Sequence, residues 1–515
     1  MTKTQERELI FVRIGRGWLS ISLVVGLVVL GLAALGNALS PSWDPRRLPA
    51  DFAYGMLPPM PEPTMSEGSA THGTRREDVR IQVSEEVLGG TVVSPAEAGR
   101  YPAVVLVHGA GPGRRSDLIK LAEHSARGGI VALAYDKRTV GYSAATNRDF
   151  GLLADDALAA VRLLRQRDDV DPAQVGLWGI SEGGGWVVPI AASRAPDEVA
   201  FAILVSGPMV SPREQLTWWV ETGLARLGTP KGLREAAAKA LGMGGFDYVH
   251  HDPLPVLERV SQPLLAVYGT QDRFVPVVQS SRELEAALER AGNQSFAIRF
   301  FAGADHGLLV DDGGFAPGYL RTMMGWVEGL PATAEPPPGL QVAGATPAQR
   351  YAADAPPAPP PYATGTALAI GYGLSAVGFL AGPVAALVVR RRRGGSDKLP
   401  DEVEAWRGIR RLLRWLAVSG LSTHLLFNLV LAAGIALALA QVGSPIVVSG
   451  GWLLVRLGPL ATVALAVASA DAAASAARSD WRPTGAQAVS LAGSFGATGI
   501  LILIAAYWGL FAFRW

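Results

Sequence analysis

The chain has 515 residues, more than one ordinary domain needs. Apolar residues make up 49% and charged residues 18%, where soluble domains carry about 25% charged, and the mean hydropathy is +0.24. That balance excludes a disordered chain and implies a globular part joined to membrane segments. A net charge of +1 gives no bulk electrostatic case for nucleic acid. The absence of cysteine excludes disulfides, thiolate nucleophiles and cysteine-based metal sites.

Lys3, Arg7, Arg13 and Arg16 precede an uncharged stretch over residues 17–43. We assign residues 1–16 to the cytoplasm and 17–39 to a transmembrane anchor, since about 20 apolar residues span a bilayer. The rival is a cleaved signal peptide with Gly36-Asn37-Ala38 as its site, but signal h-regions run only about 7–15 residues. Residues 40–77 read as a linker, with seven prolines over 41–63, and residues 331–363 as a second, with ten prolines over 331–361. Such segments favour extended polyproline II spacers.

Four long apolar segments follow in residues 364–515, near 366–389, 412–439, 449–470 and 487–511. Arg390 to Arg393, Arg407, Arg410, Arg411 and Arg414 lie between the first two, and Arg478 and Arg482 between the last two. With the N-terminus inside, five crossings put every arginine-rich loop inside. The expectation is a multi-pass cell-membrane protein whose middle domain and Arg514-Trp515 tail lie outside the cytoplasm. Arg456 and Asp471 fall within or near the fourth crossing, where an ionisable group either has a function or snorkels to the interface.

Residues 78–330 alternate strand-like and helix-like segments. Residues 78–83 and 90–94 suggest a leading hairpin. Buried-type runs follow at 103–107, 130–135, 175–178, 201–205, 264–268 and 297–301, with helical patterns between them. This is an α/β pattern with a mostly parallel sheet, so chemistry belongs at the carboxyl ends of the strands.

Gly179-Ile180-Ser181-Glu182-Gly183 follows such a strand and opens a helical pattern, which places the Ser181 hydroxyl on a tight exposed turn. Pro189 sits awkwardly in that helix. A serine nucleophile needs a base, and the base an orienting acid. His306 follows the last strand in Gly303-Ala304-Asp305-His306-Gly307, and Asp272 follows the previous one. Asp305 is the rival acid, but an adjacent residue does not easily reach the His306 Nδ1. Oxyanion donors are expected at the Glu182 N–H and in His108-Gly109-Ala110-Gly111-Pro112-Gly113, with Ala110 first choice and Gly111 second. His108 shapes that loop. Residues 208–262 form an insert, expected as a small helical lid, in which Trp218 and Trp219 either line an acyl pocket or pack the lid. His250-His251-Asp252 is a poor metal set because adjacent histidines rarely share an ion. No cofactor is expected.

The stretches LVHGAGPGRRSD, ALAYDKRTVGYS, VGLWGISEGGGWVVPIAA, VYGTQDRFVP and GADHG resemble the α/β-hydrolases of the bacterial esterase and prolyl-oligopeptidase-like group. The resemblance covers about half the chain. It implies an α/β-hydrolase fold with an eight-stranded sheet, nucleophile Ser181, base His306, acid Asp272 and oxyanion amides at Ala110 and Glu182. Thr139 departs from the glycine usual in the turn of ALAYDKRTVGYS. The implied function is a membrane-anchored serine hydrolase acting on small-molecule or lipid esters. Peptidase or acyltransferase action on the same residues, or a non-catalytic sensor or transport component, are the alternatives.

Overall fold

The computed structural model describes residues 3–61, 72–244, 247–337, 339–392 and 404–512. Arg393 and Arg514-Trp515, used above for orientation, lie outside the described residues. The chain divides into two compact units, one of residues 45–219 and 245–355, the other of residues 1–44, 220–244 and 356–515. The strands are β1 (Thr74–Gln82), β2 (Val87–Pro95), β3 (Tyr101–Val107), β4 (Val131–Tyr135), β5 (Tyr142–Ser143), β6 (Asn147–Arg148), β7 (Val170–Ile180), β8 (Ala202–Val205), β9 (Leu264–Gly269), β10 (Phe296–Phe301) and β11 (Val342–Gly344). The helices are α1 (Lys3–Leu39), α2 (Arg115–Arg127), α3 (Phe150–Arg165), α4 (Val188–Arg194), α5 (Pro212–Arg226), α6 (Lys231–Gly242), α7 (Leu254–Leu257), α8 (Val277–Arg290), α9 (Tyr319–Glu328), α10 (Gly365–Arg392), α11 (Glu404–Ala440), α12 (Pro445–Arg478) and α13 (Gly485–Tyr507).

In the first unit one sheet runs in the order β1-β2-β4-β3-β7-β8-β9-β10-β11. β1 and β2 pair antiparallel, as do β2 and β4, and the ladder is parallel from β4 to β11. The buried runs of the sequence become strands covered on both faces. In β3, Ala103, Val105 and Val107 face a core shared with α3, α4 and α8. Val104 and Leu106 face the opposite core, shared with α2 and α9. A period of two with apolar residues on both faces is why the run shows no polar alternation.

The sheet has nine strands where eight were expected. The ninth, β11, comes from the second proline-rich stretch and pairs with β10, with Ile298 opposite Val342. The buried Arg299 side chain also donates to the Leu340 and Gln341 carbonyls, each at 2.9 Å. The first proline-rich stretch is docked too. Leu48, Tyr54 and Leu57 pack on the core. The two stretches also bond to each other, Leu48 N–H to Arg350 O at 3.1 Å and Ala352 N–H to Arg46 O at 2.9 Å. They differ from free spacers because apolar residues between the prolines find sheet and helix surface to cover.

In the second unit, five helices among the described residues are long and apolar enough to cross a membrane: Ile21–Leu39 within α1, then α10, α11, α12 and α13. Small residues bring α10 and α13 together. A Cβ on Gly378 would sit 2.7 Å from Gly493 O, and one on Gly493 2.4 Å from Gly378 O. Arg456 donates to the Ala512 carbonyl. The insert is divided. Residues 220–244, expected within a lid, pack among the long helices: a Cβ on Gly223 would meet Ala438 O at 2.8 Å, and one on Gly232 the Trp452 ring at 2.8 Å. Their helices present small and apolar faces, which suit a helix bundle as well as a lid.

Tyr54 distinguishes a docked stretch from a spacer. Its hydroxyl donates to Ser281 Oγ at 3.0 Å, its ring meets Phe300 edge-on at 5.5 Å, and the Arg282 guanidinium lies 3.8 Å from the ring centre. Tyr54→Ala should destabilise the sheet unit by about 2–3 kcal/mol in urea unfolding followed by tryptophan fluorescence. A spacer residue would change stability by less than about 0.5 kcal/mol.

Candidate active site

β7 ends at Ile180, and Ser181 turns the chain with φ +55°, a left-handed conformation unusual outside glycine. Its N–H donates to Val205 O at 2.9 Å, and its carbonyl accepts from Gly185 N–H at 2.7 Å. A wide helical turn, Gly183–Val187, leads into α4. Pro189 stands in the first turn of α4, directly after the wide turn in which Val188 N–H reaches back to Gly183 O. The awkward proline thus falls at a helix start.

The glycines flanking Ser181 answer to close backbone approach. A Cβ on Gly179 would lie 2.6 Å from Gly183 C, and one on Gly183 would lie 2.6 Å from His108 O. A Cβ on Gly109 would lie 3.2 Å from Ser181 Cβ. The loop after β3 is therefore pressed against the serine turn. His108 shapes this loop, as expected: its Nε2 pairs with Tyr135 O at 2.7 Å, and burial pushes its imidazole below the ordinary value.

The loops after β9 and β10 bring Asp272 and His306 together, with Nδ1 of His306 2.8 Å from Asp272 Oδ2. The Asp272 side chain is fully buried, and that of His306 is one-fifth exposed (0% and 20%). Asp272 Oδ1 accepts from Phe274 N–H at 2.8 Å and Val275 N–H at 3.1 Å, so the carboxylate is fixed by its own turn. Burial pushes the His306 imidazole down. The Asp272 carboxylate, through its charge and its hydrogen bond, outweighs burial, and the net shift is upward. Asp305 is engaged elsewhere, its Oδ1 accepting from the Gly307 and Leu309 N–H groups at 2.8 and 2.9 Å.

In the loop after β3, Gly111 N–H donates to Tyr142 Oη at 3.0 Å, which withdraws the second-choice oxyanion donor. Neither Ala110 N–H nor Glu182 N–H takes part in the turn and loop hydrogen bonds among the described residues. The arrangement thus offers a serine on a left-handed turn, a histidine held by a buried carboxylate, and two amides outside those turn and loop bonds.

Sequence reasoning missed Lys137, Tyr142 and Arg148. All three bond the side chain of Glu182, which is buried below the turn: Lys137 Nζ at 2.5 Å, Tyr142 Oη at 3.2 Å and Arg148 Nε at 2.6 Å. Burial and the Glu182 carboxylate push the Tyr142 phenol up to about 12, so it remains a donor. The available signal was Lys137, two residues past the end of a buried strand and so close to the sheet's interior. Thr139 fits because the left-handed position of its turn is Gly141, at φ +74°, and Glu86 accepts from the Thr139 and Val140 N–H groups, both at 3.2 Å. Trp218 packs with Val210 and Ala353. Trp219 lies on Phe274 at 4.7 Å, and Phe274 on His306 at 5.0 Å. His251 packs against Phe150 and Trp186.

Residues 142–329 match the profile of the Prolyl oligopeptidase family. Esterase EstD of Thermotoga maritima is 28% identical over 252 residues, which span 45% of this chain and 60% of that protein. The quorum-quenching protein AidA of Acinetobacter baumannii is 32% identical over 119 residues, 22% of this chain and 39% of that one. The chain thus spans less than two thirds of either relative. A solved esterase of the archaeon Pyrobaculum calidifontis superposes with a TM-score of 0.36 at 19% identity, over 50% of this chain and 84% of its own. By its sheet, by the family match over residues 142–329 and by its esterase relatives, the first unit is similar to the α/β-hydrolases of the esterase and prolyl-oligopeptidase group, and the chain also holds helices compatible with membrane spans.

Proposed function

We propose that the protein is a membrane-embedded serine hydrolase that cleaves carboxylic esters, including lipid esters, outside the cytoplasm. The observation that carries this reading is the His306–Asp272 pair at 2.8 Å, on the same sheet edge as the left-handed Ser181 turn. Ser181 Oγ attacks the ester carbonyl while His306 Nε2 takes its proton. Asp272 holds the Nδ1 proton and stabilises the imidazolium. The carbonyl oxygen becomes an oxyanion facing the Ala110 and Glu182 N–H groups. Collapse of the tetrahedral species expels the alcohol, which receives the proton from His306. Water then attacks the acyl-enzyme with His306 again as base, releasing the acid and restoring Ser181. The family match also favours a second reading, peptide cleavage by the same steps. Parallel assays with esters of graded chain length and with aminoacyl amides separate the two.

Ser181→Ala should lower ester kcat by about 10⁴ or more without loss of fold, and should abolish labelling by a fluorophosphonate probe. Residual activity within tenfold would remove Ser181 from the role.

His306 must be neutral to accept a proton, so kcat/KM falls as pH drops through its folded pKa. Because Asp272 raises that pKa, the acid limb should lie above the ordinary histidine value of about 6.5. Asp272→Asn should lower the rate and move the limb to lower pH. Stability runs the other way: the raised pKa stabilises the fold at low pH, and that contribution is lost as pH rises through it. A pH–rate profile together with urea titrations at several pH values reads both signs.

The cysteine-free chain permits a clean test of orientation. Glu97→Cys on the sheet unit should react with a membrane-impermeant maleimide in intact spheroplasts, and Arg482→Cys only after lysis. The reverse pattern would put the hydrolase unit inside.

A further inference from the structure

The Glu182 carboxylate and the Lys137 ammonium are buried, with side chains 1% and 4% exposed. The proposed mechanism gives these side chains no role. Lys137 Nζ donates three hydrogen bonds, to Glu182 Oε1 at 2.5 Å, Gly109 O at 2.7 Å and Tyr142 Oη at 2.9 Å. An ammonium has three N–H donors, so its capacity is filled. Tyr142 Oη accepts from Lys137 and from Gly111 N–H at 3.0 Å, and donates to Glu182 Oε1 at 3.2 Å. Arg148 closes the set on Glu182 Oε2. A buried polar network with every member partnered holds one geometry, because any other leaves a desolvated group unpaired.

That geometry bears on one peptide. In a planar trans peptide the carbonyl of one residue and the N–H of the next point in opposite directions. Lys137 holds the Gly109 carbonyl, and this turns the Ala110 N–H the other way. Tyr142 takes the neighbouring Gly111 N–H, which removes the competing donor. The backbone N–H of Lys137 also bonds Gly113 O at 2.9 Å, so one residue grips both ends of the Gly109–Gly113 loop. Without the Nζ bond, glycines at 109 and 111 leave little to stop the Gly109–Ala110 peptide from rotating and presenting its carbonyl to the developing oxyanion.

We infer that Lys137, anchored by the Glu182 side chain, is the positioning residue that orients the Ala110 N–H as an oxyanion donor, with Tyr142 as its second arm. Glu182 thereby links the two donors: its own N–H is one, and its side chain secures the lysine that aims the other. This rests on the serine-hydrolase reading above.

The test uses the full-length protein in detergent with p-nitrophenyl butyrate, and a trifluoromethyl ketone of the same acyl chain, whose adduct carries an oxyanion. Lys137→Met should lower kcat by about 10²-fold or more, as loss of one oxyanion donor does, at little-changed KM. Its Ki for the ketone should rise by the same factor as kcat/KM falls. Combining Lys137→Met with Glu182→Gln removes the buried charge that the ammonium balanced on Glu182 Oε1, while the amide oxygen can still accept from Arg148. A merely structural defect would then be relieved and kcat would recover along with the melting temperature. A positioning role leaves kcat low. Should Lys137→Met fail to fold, Tyr142→Phe carries the test, with an expected fall in kcat of about tenfold or more at constant KM. Folded variants that keep kcat within threefold, or a double variant that regains it, overturn the inference while fluorophosphonate labelling of wild-type Ser181 still upholds the hydrolase. Absence of that labelling overturns both.

Discussion

Where β7 ends, backbone segments approach so closely that no side chain fits between them. Gly179 meets Gly183, Gly183 meets the carbonyls of Val107 and His108, and Gly184 meets Gly179 O, with virtual Cβ distances of 2.6 to 2.7 Å. This crowding over-determines the left-handed Ser181, which in isolation would be disfavoured by roughly 1–2 kcal/mol. It also presses the loop after β3 against the turn. The proposed nucleophile and both proposed oxyanion amides depend on that one approach.

Close packing fixes where the backbones lie, but not which way a glycine-bounded peptide faces. That second constraint is electrostatic. Glu182 and Lys137 place ionised groups in a buried site, with Arg148 and Tyr142 as further partners, an arrangement worth little for stability when apolar replacement is the alternative. Its value lies in directionality, since each bond has an assigned donor and acceptor. The Arg138–Asp156 pair, bidentate at 2.6 and 2.7 Å and also buried, anchors the next residue of the same strand-end turn. Two adjacent basic residues thus hold the turn after β4 from different sides.

The insert after β8 serves both units. Trp219 reaches Phe274, which lies on the His306 ring, whereas residues 220–244 pack among the long apolar helices. In that second unit Glu221 pairs with Arg234 at 2.6 Å, so the insert carries its own ionic closure there.

The buried strands of the sheet, the strand–turn–helix at Ser181 and the Asp272 and His306 loops were legible because each rests on a local pattern: a buried run, a glycine spacing, or a motif that ends a strand. The five apolar spans were legible for the same reason. β11, the docking of Leu48, Tyr54 and Leu57, and the division of the insert were not, because each is a contact between residues far apart in the chain, and proline content or helical spacing does not specify a partner. The same holds at the site. The sequence by itself determined which residue types stand at the strand ends, since turn chemistry is local. Only the tertiary structure decided that Gly111 N–H is taken by Tyr142, that Asp305 is bound up in its own turn, and that Glu182 turns its carboxylate onto Lys137. These are choices among hydrogen-bond partners, and a partner exists only once the folded chain has brought it within reach and excluded water.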